Sequence, residues 1–135
     1  MSNDVWRWVI ALIVGVHGIG HILFMPVLAG SMRLQVSGHS WLLTGMLGDG
    51  PTKLIASLAG LVVVGLFLAG IGGLLAGLPW WRSVVIVASV VSIVLVLAMW
   101  DGIPTSSAFF ALMADAVILI ALVWAHWPSA GVVGA

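Results

Sequence analysis

Four side chains in this 135-residue chain have the types and spacing to do chemistry: His17, His21, Asp101 and Asp115. The histidines sit in the run His17-Gly18-Ile19-Gly20-His21. On a helix, a four-residue spacing stacks both imidazoles on one face, one turn apart. Both rings, and Asp115 far along the chain, interrupt long apolar stretches. An ionisable group inside a membrane span costs about 2.5–3.5 kcal/mol on insertion scales, so each needs a partner or a purpose. Three readings answer that need. The groups can hydrogen-bond across helices and lock a bundle, which contributes about 0.6–2 kcal/mol. Two histidines at i and i+4 with a carboxylate can ligate zinc, iron or copper. An imidazole beside a carboxylate also titrates near physiological pH, which suits a cavity for a proton, a quinone or another small lipophilic ligand. No cofactor is required by the residues; a quinone or a metal is compatible with them.

Other chemistries are excluded by what is missing. Without cysteine there is no disulfide framework, thiolate nucleophile, iron–sulfur cluster or CxxC redox pair. Bis-histidine haem needs ligands from two facing helices at one depth. The remaining helical histidine, His126, falls at the far end of its helix from the depth of His17. Gly15-Val16-His17-Gly18-Ile19-Gly20 is no phosphate loop, since no strand precedes it. No strand-to-helix nucleophile turn is present, and Met25, Met32 and Met46 read as packing filler rather than copper ligands. No residue is assigned a catalytic role, and the chain reads as non-enzymatic.

The elements that hold these side chains must lie in lipid. Apolar residues make up 63% and charged residues 6%, and mean hydropathy is +1.31. Soluble domains need roughly 25% charged residues to solvate their surface. Runs such as Leu61-Val62-Val63-Val64-Gly65-Leu66-Phe67-Leu68 lack the alternation of a barrel strand. The fold class is therefore all-α, one integral membrane bundle of four helices. At ~20 residues per crossing the spans fall at about 5–29, 53–78, 80–100 and 108–127. Gly50-Pro51, Pro79, Asp101-Gly102-Ile103-Pro104 and Pro128 punctuate them, and Ser106 or Ser107 is expected to cap the fourth. Trp6, Trp8, Trp80, Trp81, Trp100 and Trp127 sit near span ends, as an aromatic belt requires. Val27-Leu28-Ala29 resembles a leader-processing site, but His17 and His21 break the apolar core such a leader needs, so the first span is kept.

Heights follow from span ends. Counted from Ala29, His21 lies about 12 Å deep; counted from Ala108, Asp115 lies about 10 Å deep on the same side. The expected pair is thus His21 with Asp115, with His17 about 6 Å deeper and Asp101, Asp49 and His39 at the rim above. In the second span Gly65, Ala69, Gly73 and Gly77 recur every four residues and mark a close-approach stripe, within the chain or between two copies. Gly15, Gly18, Ala88 and Ser92 offer further close approaches. Arg7 and Arg82 lie on the side of the termini, Arg33 and Lys53 on the other. The basic-residue count is nearly tied, leaning towards cytoplasmic termini. With four basic and four acidic residues the chain has no nucleic-acid partner; lipid is its solvent.

His17-Gly18-Ile19-Gly20-His21 also resembles the HGxxHL-type opening of short, mostly uncharacterised bacterial inner-membrane proteins of DoxX-like type. The resemblance continues at Trp80-Trp81-Arg82, Ser92, Trp100-Asp101 and Asp115. It implies four helices, a bacterial inner-membrane location and, for the DoxX branch, quinone-linked sulfur oxidation or complexes handling oxidative stress. This chain departs from that pattern in having no cysteine and a long polar first loop. Three functions are expected in order. The first is a non-catalytic accessory or scaffold subunit of a respiratory or photosynthetic membrane complex, with other subunits or further copies as partners. The second is a redox component or binder of a quinone or similar lipophilic ligand, with His17, His21 and Asp115 lining the site. The third is a minimal dimeric proton-coupled transporter.

Overall fold

The computed structural model describes residues 3–26 and 36–133. The processing-like site at Ala29, and Met32, Arg33 and Gln35 of the first loop, lie outside the described residues. Four long helices dominate: α1 Asn3–Gly20, α2 Asp49–Leu75, α3 Trp81–Ala98 and α4 Thr105–Leu119. A 3₁₀ turn, His21–Phe24, prolongs α1, and a π turn, Ile120–Trp124, prolongs α4. With these extensions all four are long and apolar enough to cross a bilayer. The described residues contain no strand. The chain is an all-helical, multi-pass membrane protein.

The buried faces mix glycine, alanine and serine with larger apolar side chains, and the outer faces are large and apolar, as lipid demands. On α1 the inward stripe is Ile10, Ala11, Val14, Gly15 and Gly18, while Trp8, Leu12, Ile13, Val16 and Ile19 face out. On α3 it is Trp81, Val85, Ala88, Ser89, Ser92 and Val96. Without a hydrophobic gain between helices, close packing holds them together, and glycines set the distance. A Cβ on Gly18 would stand 2.5 Å from Cβ of Phe67, and one on Gly60 would stand 2.9 Å from Met25. Gly70 is likewise filled by Val85 and Gly73 by the indole of Trp80.

The stripe expected at Gly65, Ala69, Gly73 and Gly77 is therefore only partly a contact within the chain. Gly73 is one, whereas Gly65 and Ala69 face outward with open space at Gly65. Gly77 lies beyond the helix in a left-handed turn (φ +69°). There Leu78 N–H bonds Gly73 C=O at 2.8 Å and Gly77 N–H bonds Leu74 C=O at 3.1 Å. That double closure is the glycine-terminated helix stop, and it ends α2 at Leu75 rather than near Leu78.

Two helix starts also differ from expectation. α2 begins at Asp49, because a proline in the first turn loses no helical N–H bond and Pro51 sits there. α4 begins at Thr105 directly after Pro104, with no side-chain cap from Ser106 or Ser107.

Each end of the bundle is tied by side chains that accept or supply the bonds helices leave open. On the side of the termini, Arg7 donates to Val133 C=O and Arg82 to Pro128 C=O and, at 3.1 Å, to Leu122 C=O. Trp6 and Trp127 meet edge to face, with ring centroids 6.0 Å apart. The segment after α4 thus folds back under the bundle, and Val133 and Pro128 are buried. On the other side, residues 37–41 clamp the α3–α4 turn. Ser40 Oγ donates to Ala98 C=O at 2.6 Å and the Trp41 indole to Leu97 C=O at 2.8 Å.

The helices pack in chain order, α1 on α2, α2 on α3 and α3 on α4. α1 and α4 hardly touch along their length, so the row curls without closing. The seam between them is where the ionisable residues lie.

Candidate functional site

Three helices send polar side chains to one point. His17 Nε2 lies 2.8 Å from Asp115 Oδ1, and Ser92 Oγ lies 2.5 Å from Asp115 Oδ2. His21 Nε2 bonds Ser92 Oγ. An ionised carboxylate only accepts, and a hydroxyl donates one proton. With Asp115 ionised, the direction of every bond is fixed. His17 Nε2–H donates to Oδ1, Ser92 O–H donates to Oδ2, and His21 Nε2–H donates to Ser92. Both imidazoles use Nε2 and the network converges on Asp115, which is fully buried with Ser92; His21 is buried and His17 keeps 13% of its side-chain surface. Charge-assisted bonds of this kind are the strong class.

Packing fixes the rings as firmly as the bonds do. The imidazoles of His17 and His21 meet edge to face at 4.9 Å, and Phe67 of α2 stands edge-on to both, at 5.2 and 5.9 Å. Gly18 lies between the histidines and allows that approach, since any larger residue would displace Phe67. One ligating atom each from His17, His21 and Asp115 fall within 4.8 Å of one another, so these three are the residues that could hold a metal.

The sequence brings the right residues together but pairs them differently. His21 was expected beside Asp115; His17 holds that place, and His21 reaches the carboxylate only through Ser92. The shifted helix ends account for the exchange. α4 starts three residues earlier than expected, which puts Asp115 about 15 Å from its end. α1 and its 3₁₀ turn stop at Phe24, five residues before the expected end. His21 then lies only about 5 Å deep and His17 about 10 Å. His17 is the closer in height.

Asp101 is not part of this centre. It sits at the rim, where His39 Nδ1 approaches Oδ2 at 2.6 Å and Trp41 N–H donates to Oδ1 at 2.9 Å. Ser92 entered the sequence reading only as a small residue and as one point of a family resemblance, yet it bridges two helices here. A serine three turns into an apolar helix carries a signal, since its hydroxyl needs a partner at that depth. Ser89, one turn away on α3, is also fully buried, and its hydroxyl has no hydrogen-bond partner among the described residues.

The unclosed α1–α4 seam leads to the centre. A crevice of about 320 Å³ is lined by His17, His21, Phe24, Ser107 and Phe110 among others. It is continuous at His17 and Phe110 with a wholly apolar stretch that runs along Ile13, Met113 and Val117. Lateral access from the bilayer thus reaches a wall formed by both imidazoles, of which His17 is the more exposed.

Comparison of the chain with protein-family models, with curated proteins and with solved structures finds no match in any of the three. The class that fold and site define is a four-helix membrane bundle with a buried His–Asp–Ser–His network beside a lateral crevice.

Proposed function

We propose that this chain is a membrane-embedded binding protein for a small lipophilic ligand with a polar head, of quinone type. The ligand enters sideways between α1 and α4. His17 meets its polar head, and Asp115 with Ser92 and His21 holds the proton balance behind it. The observation that carries this reading is the position of His17. It is the one partly exposed member of the network, and it stands in the wall of the α1–α4 crevice. A polar head needs a partner, which His17 Nδ1 offers while Nε2–H stays on Asp115, and an apolar tail needs the groove of Ile13, Met113 and Val117. A site of this kind, mostly apolar with few convergent polar groups, suits a small molecule. The resemblance to DoxX-like proteins and the bacterial inner-membrane location belong to the same proposal.

The test is saturable binding of a short-chain benzoquinone and a naphthoquinone to the chain in lipid nanodiscs without added metal. Binding is expected, and Phe110→Trp, which fills the crevice, and His17→Ala should each weaken it at least about tenfold, the scale of one lost hydrogen bond to a polar head. Binding that both variants leave unchanged removes the proposal.

A second reading, an accessory subunit of a larger membrane complex, is favoured by the short connections. Only residues 76–80 join α2 to α3 and 99–104 join α3 to α4, so these two connections add little surface outside the bilayer. Stoichiometric recovery of larger subunits after cross-linking in the native membrane supports it; recovery of the chain alone removes it.

A further inference from the structure

We propose that His17, His21 and Asp115 form a binding site for one divalent first-row transition metal ion, of the zinc or ferrous type, at the head of the α1–α4 crevice. The inference shares its side chains with the proposed ligand site and deepens that reading by assigning the ion that a ligand's polar head would meet.

The donor set is two imidazoles and one carboxylate, and their ligating atoms already lie within 4.8 Å of one another. Around a tetrahedral ion with bonds of about 2.0–2.1 Å, donor atoms stand roughly 3.4 Å apart. The His17–Asp115 edge, at 2.8 Å, is shorter and must open by about 0.6 Å. The widest separation must close by about 1.4 Å, a movement that rotation of an imidazole about its own side-chain torsions supplies. Two histidines one helical turn apart supply adjacent corners of a coordination sphere from α1, and α4 supplies the third.

The surroundings are those a metal centre requires. Ser92 donates to Oδ2, the oxygen that does not face His17, and so orients the carboxylate from behind; such outer partners tune metal affinity. Phe67 packs edge-on against both rings. Imidazole and carboxylate donors without thiolate select borderline ions such as Zn²⁺, Co²⁺ and Fe²⁺ over Cu⁺. The charge of the ion offsets the carboxylate charge of Asp115, the one buried acid among the described residues. Three protein donors leave coordination positions open, and the partial exposure of His17 to the crevice gives the ion an entry path.

The experiment is Co²⁺ titration of the purified full chain in nanodiscs, free of added quinone, read by visible absorption and by metal content after dialysis. One Co²⁺ per chain, with the intense bands of a four- or five-coordinate site, is expected. His21→Ala and Asp115→Asn should abolish those bands, and Ser92→Ala should weaken affinity on the order of tenfold. His39→Ala, which breaks the rim His–Asp pair, should change nothing. Since Asp115→Asn also replaces one of the two acceptor oxygens on which the network converges with a donor, the spectrum of the unmodified chain decides alone: an octahedral, water-like spectrum at every concentration overturns the site. Bands retained in His21→Ala, or lost equally in His39→Ala, overturn it as well. Quinone capture measured without metal is a separate result, so a failed Co²⁺ titration beside intact capture refutes the metal and leaves the ligand reading standing.

Discussion

Among the described residues the same histidine–aspartate contact occurs twice, in opposite surroundings. His39 and Asp101 meet at 2.6 Å on the rim with 49% and 38% of their side chains exposed. His17 and Asp115 meet at 2.8 Å in the core with 13% and 0% exposed. Distance does not separate the two pairs; solvent does. At the rim, water competes for both partners and salt screens them, so an exposed pair contributes about 0.2–1 kcal/mol. In the core no water replaces a lost partner, and removing one leaves the other's desolvation uncompensated. The core pair is also one edge of a network spanning α1, α3 and α4, whereas the rim pair pins one loop to one turn. A short contact between a histidine and an aspartate therefore says little until its burial is known.

The contrast is tested most severely by removing the acids. Asp115→Ala should cost about 3 kcal/mol of stability in detergent unfolding followed by tryptophan fluorescence, because a donor from each of His17 and Ser92 is left buried and unpaired. Asp101→Ala should cost no more than about 1 kcal/mol. Equal losses would mean that burial does not set the difference.

A smaller effect is expected from disturbing the core pair without touching its polar atoms. Gly18→Ala pushes a methyl group into Phe67, the ring that aligns both imidazoles. Overpacking of this kind costs typically about 1–3 kcal/mol. The same change at Gly20, where nothing lies within 4 Å, should leave stability unchanged or slightly raised, since alanine favours helix.

The smallest effect separates the pairs by screening. Raising sodium chloride from about 0.05 to 1 M shortens the Debye length from above 10 Å to about 3 Å. In double-mutant cycles the coupling of His39 to Asp101 should fall towards zero over that range. The coupling of His17 to Asp115, on the order of 0.6–1.7 kcal/mol for interhelical bonds, should persist. A salt-sensitive core coupling would show that ions reach the α1–α4 seam.

How much of this was legible beforehand varies with the kind of question. Composition and unbroken apolar runs establish four membrane helices, because lipid admits no other spanning element for such runs. The types and rarity of His17, His21 and Asp115 mark them as a centre, because each carries a cost in lipid that only a partner offsets. Their pairing was not legible, although the rim position of Asp101 was. The error came from helix ends. The 3₁₀ turn at His21–Phe24 and the start after Pro104 are backbone features that a count of apolar residues does not register, and five residues of error at the end of α1 was enough to exchange His21 for His17. The role of Ser92 and the open seam between α1 and α4 depend on which faces meet, and on Gly18 letting Phe67 approach. The sequence by itself determined the solvent, the helix number and the residues that must find partners, since those follow from transfer costs of individual side chains. Only the tertiary structure decided which partners they find and which one faces a crevice, since height, rotation and closest approach are properties of helix pairs and not of any one helix.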